Sequence, residues 1–195
     1  MPEPHSLTLA FTGSGGSGAV TAGMILLEAA GQAGLYGHNA RAVGPQIRGG
    51  EAISMVRCSD RPVSCPSDHF DMILGLDWRN ADRFADELPL NRASLIVADP
   101  EAGPVPEVFA ASGARLLPIP LHELAADSCR RSNMVAVGVA AALLGFPMEA
   151  VRRAVEKVLA GKGQELIAKS MACIESGRKA CPPSEWAPRQ LPDVV

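Results

Sequence analysis

Aromatic residues are scarce in this sequence, and neither sign of charge is in large excess. Only 4% of the 195 residues are aromatic, so few rings are available to stack on nucleobases. The formal net charge is -3, which gives the chain no general attraction for nucleic acid. No apolar run reaches the roughly 20 residues that cross a bilayer. We therefore expect no nucleic-acid partner and no contact with the membrane.

The sequence also lacks closely spaced cysteines. The five are Cys58, Cys65, Cys129, Cys173 and Cys181, with no C-x-x-C pair among them. Iron–sulfur ligands usually come in such close spacings, and the first residues show no basic segment ahead of an apolar one. The sequence therefore predicts reduced thiols, no metal or cluster ligands, and a cytoplasmic protein. His38, His69 and His122 have no base partner nearby in the sequence and are expected to be surface or turn residues.

Segments whose apolar residues recur with the period of a strand alternate along the chain with segments that have the period of a helix. Strands are predicted at 6–12, 51–59, 71–76, 94–98 and 115–119, and helices at 17–34, 132–144, 148–159 and 164–176. Asp77 is placed to cap a further helix that runs to Leu88. The alternation predicts an α/β fold with a Rossmann-like, mainly parallel sheet, flanking helices and C-terminal helices. A Pro-rich tail or docking arm follows at 179–195.

A glycine-rich loop separates the first predicted strand from its helix. It consists of Gly13, Ser14, Gly15, Gly16, Ser17 and Gly18. Backbone N–H groups at a helix N-terminus, assisted by the helix dipole, can hold an anion. All six residues are therefore candidate cofactor-binding residues. A tight structural turn with no ligand is the simpler alternative.

The same loop satisfies the dinucleotide pattern G-x-G-x-x-G. Such sites also use an acidic residue about 20 positions on to hold the ribose hydroxyls, and His38, Asn39 and Ala40 occupy that region. Arg41 could instead face a 2′-phosphate, so a stand-alone NADP-binding oxidoreductase stays open as an alternative. A P-loop is disfavoured because alanine, not lysine, follows Gly18.

A second glycine cluster reads Gly44-Pro45-Gln46-Ile47-Arg48-Gly49-Gly50-Glu51. It pairs an arginine with two residues that have no side chain, so a ligand or a partner chain can approach the backbone. Gln46, Arg48, Gly49 and Gly50 are therefore candidates for contact with substrate or partner. The planar Arg48 guanidinium suits a phosphate or carboxylate; an interface salt bridge, for example with Glu51, is the alternative. Asn133 is a further candidate, because its amide could cap its own helix or bind a neighbouring loop.

Together these stretches resemble the gamma subunit, or gamma domain, of the 2-oxoacid:ferredoxin (acceptor) oxidoreductases. The resemblance is carried by Thr12–Gly18 with Ala22-Gly23; by Gly44–Glu51 with Arg57–Val63 and the strand at 71–76; and by Arg131–Met134, Gly138, Gly163–Glu165 and Ser176-Gly177. It implies a gamma-type domain at 1–178. The sequence of the second cluster is similar to that of family members that act on 2-oxoglutarate or unspecified 2-oxoacids.

The resemblance implies membership of a complex that oxidatively decarboxylates a 2-oxoacid to an acyl-coenzyme A. Thiamine diphosphate, magnesium and an iron–sulfur cluster are then expected in partner subunits of alpha and beta type, with ferredoxin or another electron acceptor served by the complex. We expect no catalytic residue in this chain, which shows no thiamine-binding or cluster motif. Its expected roles are support of assembly and coenzyme A binding at the glycine loop. Because no thiamine-binding domain follows, a separate subunit or short form is expected.

Overall fold

One six-stranded sheet organises the computed structural model, which describes residues 6–44, 50–126 and 130–181. The strands are β1 (Ser6–Ser14), β2 (Tyr36–Val43), β3 (Glu51–Ser59), β4 (Met72–Gly75), β5 (Leu95–Ala98) and β6 (Arg115–Pro118). The α-helices are α1 (Ala19–Gln32), α2 (Glu107–Ala110), α3 (Leu121–Ala126), α4 (Ser132–Leu143), α5 (Met148–Val158) and α6 (Gln164–Ala180). Residues Ala81–Glu87 and Pro100–Ala102 form 3-10 helices.

The strand order is β2-β3-β1-β4-β5-β6. From β1 to β6 every neighbouring pair is parallel, whereas β3 is antiparallel to both β1 and β2. This confirms the predicted α/β fold with a mainly parallel sheet and flanking helices. Strand β2 was missing from the prediction because it lies at the edge of the sheet, and its residues are half-buried or exposed rather than alternately buried.

Two apolar layers cover the two faces of the sheet. The larger layer contains the buried sides of α1, α3, α4, α5 and α6, and the smaller layer contains Phe70, Trp78, Phe84 and Phe109. Helix α1 lies close to β3 at Gly23, where an added methyl group would overlap the Ser54 hydroxyl. Helix α4 is buried on almost every side and crosses α6 where Gly138 and Gly177 bring the two backbones into contact.

The predicted helix from Asp77 to Leu88 is wrong in its start and in its type. The segment is a 3-10 helix that begins at Ala81, and its N-terminal flanking residue is Asn80, with a φ of 57°. Asp77 does not cap it because its carboxylate binds the end of β1 instead, as described below. Residues 182–195, most of the predicted tail, lie outside the described part of the chain.

The cysteines do not form a metal site in the described part of the chain. Cys58, Cys65 and Cys181 are free, whereas Cys173 is disulfide-bonded, which corrects the expectation of reduced thiols at that residue. Burial raises the pKa of the Cys58 thiol to about 12, so it is a packing residue rather than a nucleophile. Among the described residues, no group of three or more His, Cys, Asp or Glu side chains is arranged for a metal ion. None of the described helices is long and apolar enough to span a bilayer.

Candidate functional site

The first glycine cluster meets the described end of the second, Gly50 and Glu51, at the carboxyl end of β1. Because β1 and β3 are antiparallel, the last residue of β1, Ser14, lies opposite the first residue of β3, Glu51. The Gly15 N–H donates to the Gly50 carbonyl across this corner, so Gly50 is brought to the first cluster. The candidates Gln46, Arg48 and Gly49 lie outside the described residues, and their roles stay predictions.

Asp77 fixes the start of the glycine loop. One oxygen of its carboxylate, Oδ2, accepts from the Ser14 N–H at 2.9 Å and from the Ser14 hydroxyl at 2.6 Å. Its other oxygen, Oδ1, accepts from the Arg79 N–H at 3.1 Å. The signal for this contact is topological: β1 and β4 are parallel neighbours, so the residues that follow them meet at one edge of the sheet.

Internal hydrogen bonds decide which loop N–H groups can still bind a ligand. Those of Ser14, Gly15 and Ser17 are taken, the last by the Ser14 carbonyl at 2.9 Å. Gly16 and Gly18 have φ angles of +100° and +86°, and their N–H groups have no acceptor within the described ranges. The first turn of α1 also leaves its N–H groups without a partner inside the helix. The N–H groups that remain available to a ligand are therefore those of Gly16, Gly18 and this turn.

A cavity of about 450 Å³ opens in front of these groups. It is lined by the glycine loop, the first turn of α1, one residue of α3 and the start of α4: Gly16, Ser17, Gly18, Thr21, His122, Arg130, Arg131, Ser132, Asn133 and Met134. A second cavity of about 300 Å³ shares His122, Arg130 and Ser132 with it. The N-termini of α1 and α4 thus face one polar space.

Asn133 joins α4 to the glycine loop. Its Nδ2 donates to the Gly18 carbonyl at 3.2 Å, although the two residues are 115 positions apart in the sequence. A methyl group on Gly18 would overlap this amide, so the absence of a side chain at Gly18 makes the contact possible. Asn133 therefore contacts a neighbouring loop and does not cap its own helix.

A histidine–aspartate pair at the same cavity was missed by the sequence analysis. Asp99 follows β5, and its buried Oδ2 accepts from the His122 N–H at 2.7 Å and lies 2.6 Å from His122 Nδ1. Its Oδ1 accepts from the Glu101 N–H at 2.9 Å. His122 is half-exposed, as expected of a surface residue. It does have a carboxylate partner, Asp99, which lies 23 positions away in the sequence.

Glu51 belongs to an ion pair at the other side of the corner. Its carboxylate is 5% exposed and lies 3.1 Å from Arg83 Nη1. Its own backbone N–H and the Arg83 guanidinium hold the pKa of Glu51 below its ordinary value. Glu51 is therefore a charged and paired residue at the start of β3, and it is not among the residues that line the cavity described above.

The fold agrees with the oxoacid oxidoreductase family that the sequence resembles. The chain belongs to the pyruvate ferredoxin/flavodoxin oxidoreductase family, whose characteristic domain matches residues 8–180. The ketoisovalerate oxidoreductase subunit VorA of Methanothermobacter thermautotrophicus is 29% identical in an alignment of 191 residues that covers 95% of this chain and 37% of VorA. The resemblance to this family is thus confirmed.

Solved structures show the same architecture. A 2-oxoglutarate:ferredoxin oxidoreductase from Magnetococcus marinus matches with a TM-score of 0.82 and 25% identity, over 98% of this chain and 34% of its own. The gamma subunit of a keto/oxoacid ferredoxin oxidoreductase from Geobacter sulfurreducens matches with a TM-score of 0.68 and 24% identity, over 89% of this chain and 97% of its own. The chain thus spans about a third of VorA and of the Magnetococcus protein, and nearly all of the Geobacter subunit.

Proposed function

We propose that this chain is the gamma-type part of a thiamine-diphosphate-dependent 2-oxoacid:acceptor oxidoreductase complex. Family membership supports this, and so does the Magnetococcus protein, which was solved with 2-oxoglutarate, coenzyme A and succinyl-coenzyme A bound. Within this family we favour 2-oxoglutarate as the substrate, because the sequence of the second glycine cluster resembles that of forms that act on 2-oxoglutarate or unspecified 2-oxoacids. The complex would convert the 2-oxoacid to an acyl-coenzyme A in the cytoplasm and pass the electrons to ferredoxin or another acceptor.

Redox chemistry in this proposal belongs to the partners. Thiamine diphosphate, magnesium and the iron–sulfur cluster would be held by the alpha- and beta-type subunits, since the described residues of this chain offer no metal-ligand group. This chain would support their assembly and bind the phosphate-bearing part of coenzyme A. No residue of the described ranges is assigned a catalytic role.

The observation that carries the coenzyme A proposal is the polarity of the 450 Å³ cavity. Two helix N-termini face it, Gly16 and Gly18 offer N–H groups, and Arg130 and Arg131 add positive charge. Among the described residues, no carboxylate lines this cavity or its neighbour. The volume suits a phosphate group and part of a nucleotide rather than the whole of coenzyme A.

Assembly is tested by co-purification from native extract. The tagged chain is expected to bring down a thiamine-diphosphate-binding subunit and an iron–sulfur protein in stoichiometric amounts, identified by mass spectrometry. The reason is that the chain resembles one part of a larger enzyme, and its described residues form no metal-ligand group. A monodisperse, catalytically active monomer would refute the proposal.

Coenzyme A binding is tested at Arg130, which is exposed and lines both cavities. The Arg130→Gln variant keeps most of the side chain and removes the charge, so it should weaken coenzyme A binding about tenfold, the loss of one charged hydrogen bond. Arg152→Gln is the matched control, because Arg152 is half-exposed on α5 and lines neither cavity. Isothermal titration calorimetry measures both. Equal affinities in the wild type and the two variants would remove coenzyme A from this cavity.

The alternative of a stand-alone NADP-binding oxidoreductase has no support in the strand order. In a dinucleotide-binding fold the strand after the first helix lies beside β1 and runs parallel to it. Here β3, an antiparallel strand, lies between β1 and β2. Arg41 on β2 is thus two strands away from the glycine loop, and the site for a ribose or its 2′-phosphate is not formed.

A further inference from the structure

His122 is the one histidine of the described chain that lines the candidate cavities. Its ring is held by Asp99, whose side chain is fully buried while that of His122 is 47% exposed. Two backbone N–H groups, from Glu101 and His122, also donate to this carboxylate and fix its orientation. Asp99 therefore holds the imidazole in one position at the rim of the phosphate-binding space.

The pair also determines which ring nitrogen carries the proton. Nδ1 lies 2.6 Å from a carboxylate oxygen that also accepts from a backbone N–H, so Nδ1 is the donor. The neutral ring then leaves Nε2 as an unprotonated acceptor, which repels a phosphate oxygen. Protonation turns Nε2 into a second donor, and the Asp99 carboxylate balances the added charge. Within the described ranges, Nε2 has no other partner.

We infer that His122 is a proton-linked binding residue for a dianionic phosphate group in this cavity. When the phosphate enters, His122 takes up one proton from solvent at Nε2, and the Nε2–H donates to a phosphate oxygen. No bond of the ligand is made or broken. The inference rests on the proposed coenzyme A function for the ligand's identity, and it adds the residue that recognises the charge of the phosphate.

The charges around His122 set the sign of the effect. Among the described residues, Asp99 after β5 pairs with the His122 ring, and Arg130 and Arg131 before α4 line the same cavity. Glu123 neighbours His122 on α3, and the lining residues from the glycine loop and α1 are not titratable; α6, which packs on α3, gives neither cavity a residue. A dianion bound beside Nε2 adds negative charge next to the ring, so binding favours the protonated form of His122. Because binding takes up a proton, affinity should fall as pH rises.

Calorimetry in two buffers of different ionisation enthalpy, such as PIPES and Tris at pH 7.5, measures the protons taken up on binding. The wild-type 195-residue chain is expected to take up a substantial fraction of one proton with coenzyme A. His122→Gln should lose this uptake and bind about fivefold more weakly. His69→Gln should behave as wild type, because His69 is also half-exposed beside an aspartate, at 3.9 Å, yet lines neither cavity.

A second measurement needs no variant at the site. The chain has four histidines, so proton NMR can follow the His122 ring during titration, and its C2–H signal should shift toward the imidazolium position. Adenosine 3′,5′-bisphosphate serves as a second probe that carries the phosphate groups without the thiol arm.

The outcomes separate the two claims. Coenzyme A binding with proton uptake unchanged in His122→Gln overturns this inference and leaves the proposed function standing. Uptake through His122 with the bisphosphate, but no binding of coenzyme A, supports the inference and removes coenzyme A as the ligand. If neither probe binds, both claims are wrong.

Discussion

Gly138→Ala is expected to lower the free energy of unfolding of this chain by about 3 kcal/mol. The added methyl group would overlap the carbonyl oxygen of Ile174 on α6 and lie 2.8 Å from its carbonyl carbon. Both are backbone atoms of a helix, so no side chain can rotate away to relieve the overlap. The two helices must separate, and the buried surface between them must open. Urea denaturation followed by circular dichroism measures the loss.

Gly177 on α6 makes the equivalent contact with α4, so a second substitution tests the same helix crossing. A methyl group on Gly177 of α6 would overlap the Val135 carbonyl of α4 and lie 2.8 Å from its carbon. Gly177→Ala should therefore destabilise the chain by a similar amount. Because both substitutions force apart the same pair of helices, the double variant should lose less than the sum of the two.

Gly31→Ala is the matched control for this pair. Gly31 is a helical glycine near the end of α1, it is exposed, and an added methyl group would meet nothing within 4 Å. The same substitution should there stabilise the chain by about 0.5–1 kcal/mol, because alanine favours the helix. If Gly138→Ala unfolds at the same urea concentration as Gly31→Ala, α4 and α6 are not in backbone contact.

Strands β4 and β5 could be predicted from the sequence because they are short, continuous apolar runs. Met72–Gly75 and Leu95–Ala98 are buried throughout, and turn residues bound them on both sides. The pairing of Gly138 with Gly177 could not be predicted, since each is only a small residue in its own helix. Both glycines are among the residues that carry the family resemblance, and the close crossing of α4 and α6 gives the physical reason for them.

The individual segments of the site could be predicted from the sequence, but the contacts between them could not. The glycine loop follows from a local pattern of strand, loop and helix, and Asn133 from its place at a helix start. The contact of Ser14 with Asp77 spans 63 residues, and that of His122 with Asp99 spans 23. Such contacts depend on which strands become neighbours, and strand order is not encoded in any local period.

Gly18→Ala should affect both stability and ligand binding, because Gly18 combines two constraints. Its φ of +86° disfavours any side chain, which costs about 1–2 kcal/mol. The new methyl group would also overlap Asn133 Nδ2 and lie 2.7 Å from its Cγ. We therefore expect a total loss of about 3 kcal/mol in the free energy of unfolding. Displacement of Asn133 would also break its hydrogen bond to the Gly18 carbonyl and reshape the cavity, so coenzyme A binding should fall with it.

Gly16→Ala separates the two constraints. Gly16 has a φ of +100°, but a methyl group there would meet nothing within 4 Å. This variant should lose about 1–2 kcal/mol from backbone strain alone. In a Gly18→Ala/Asn133→Ala double variant the overlap is removed, so its stability should exceed the value obtained by adding the two single losses. Strict additivity, or equal losses at Gly16 and Gly18, would mean that Asn133 does not pack on the glycine loop.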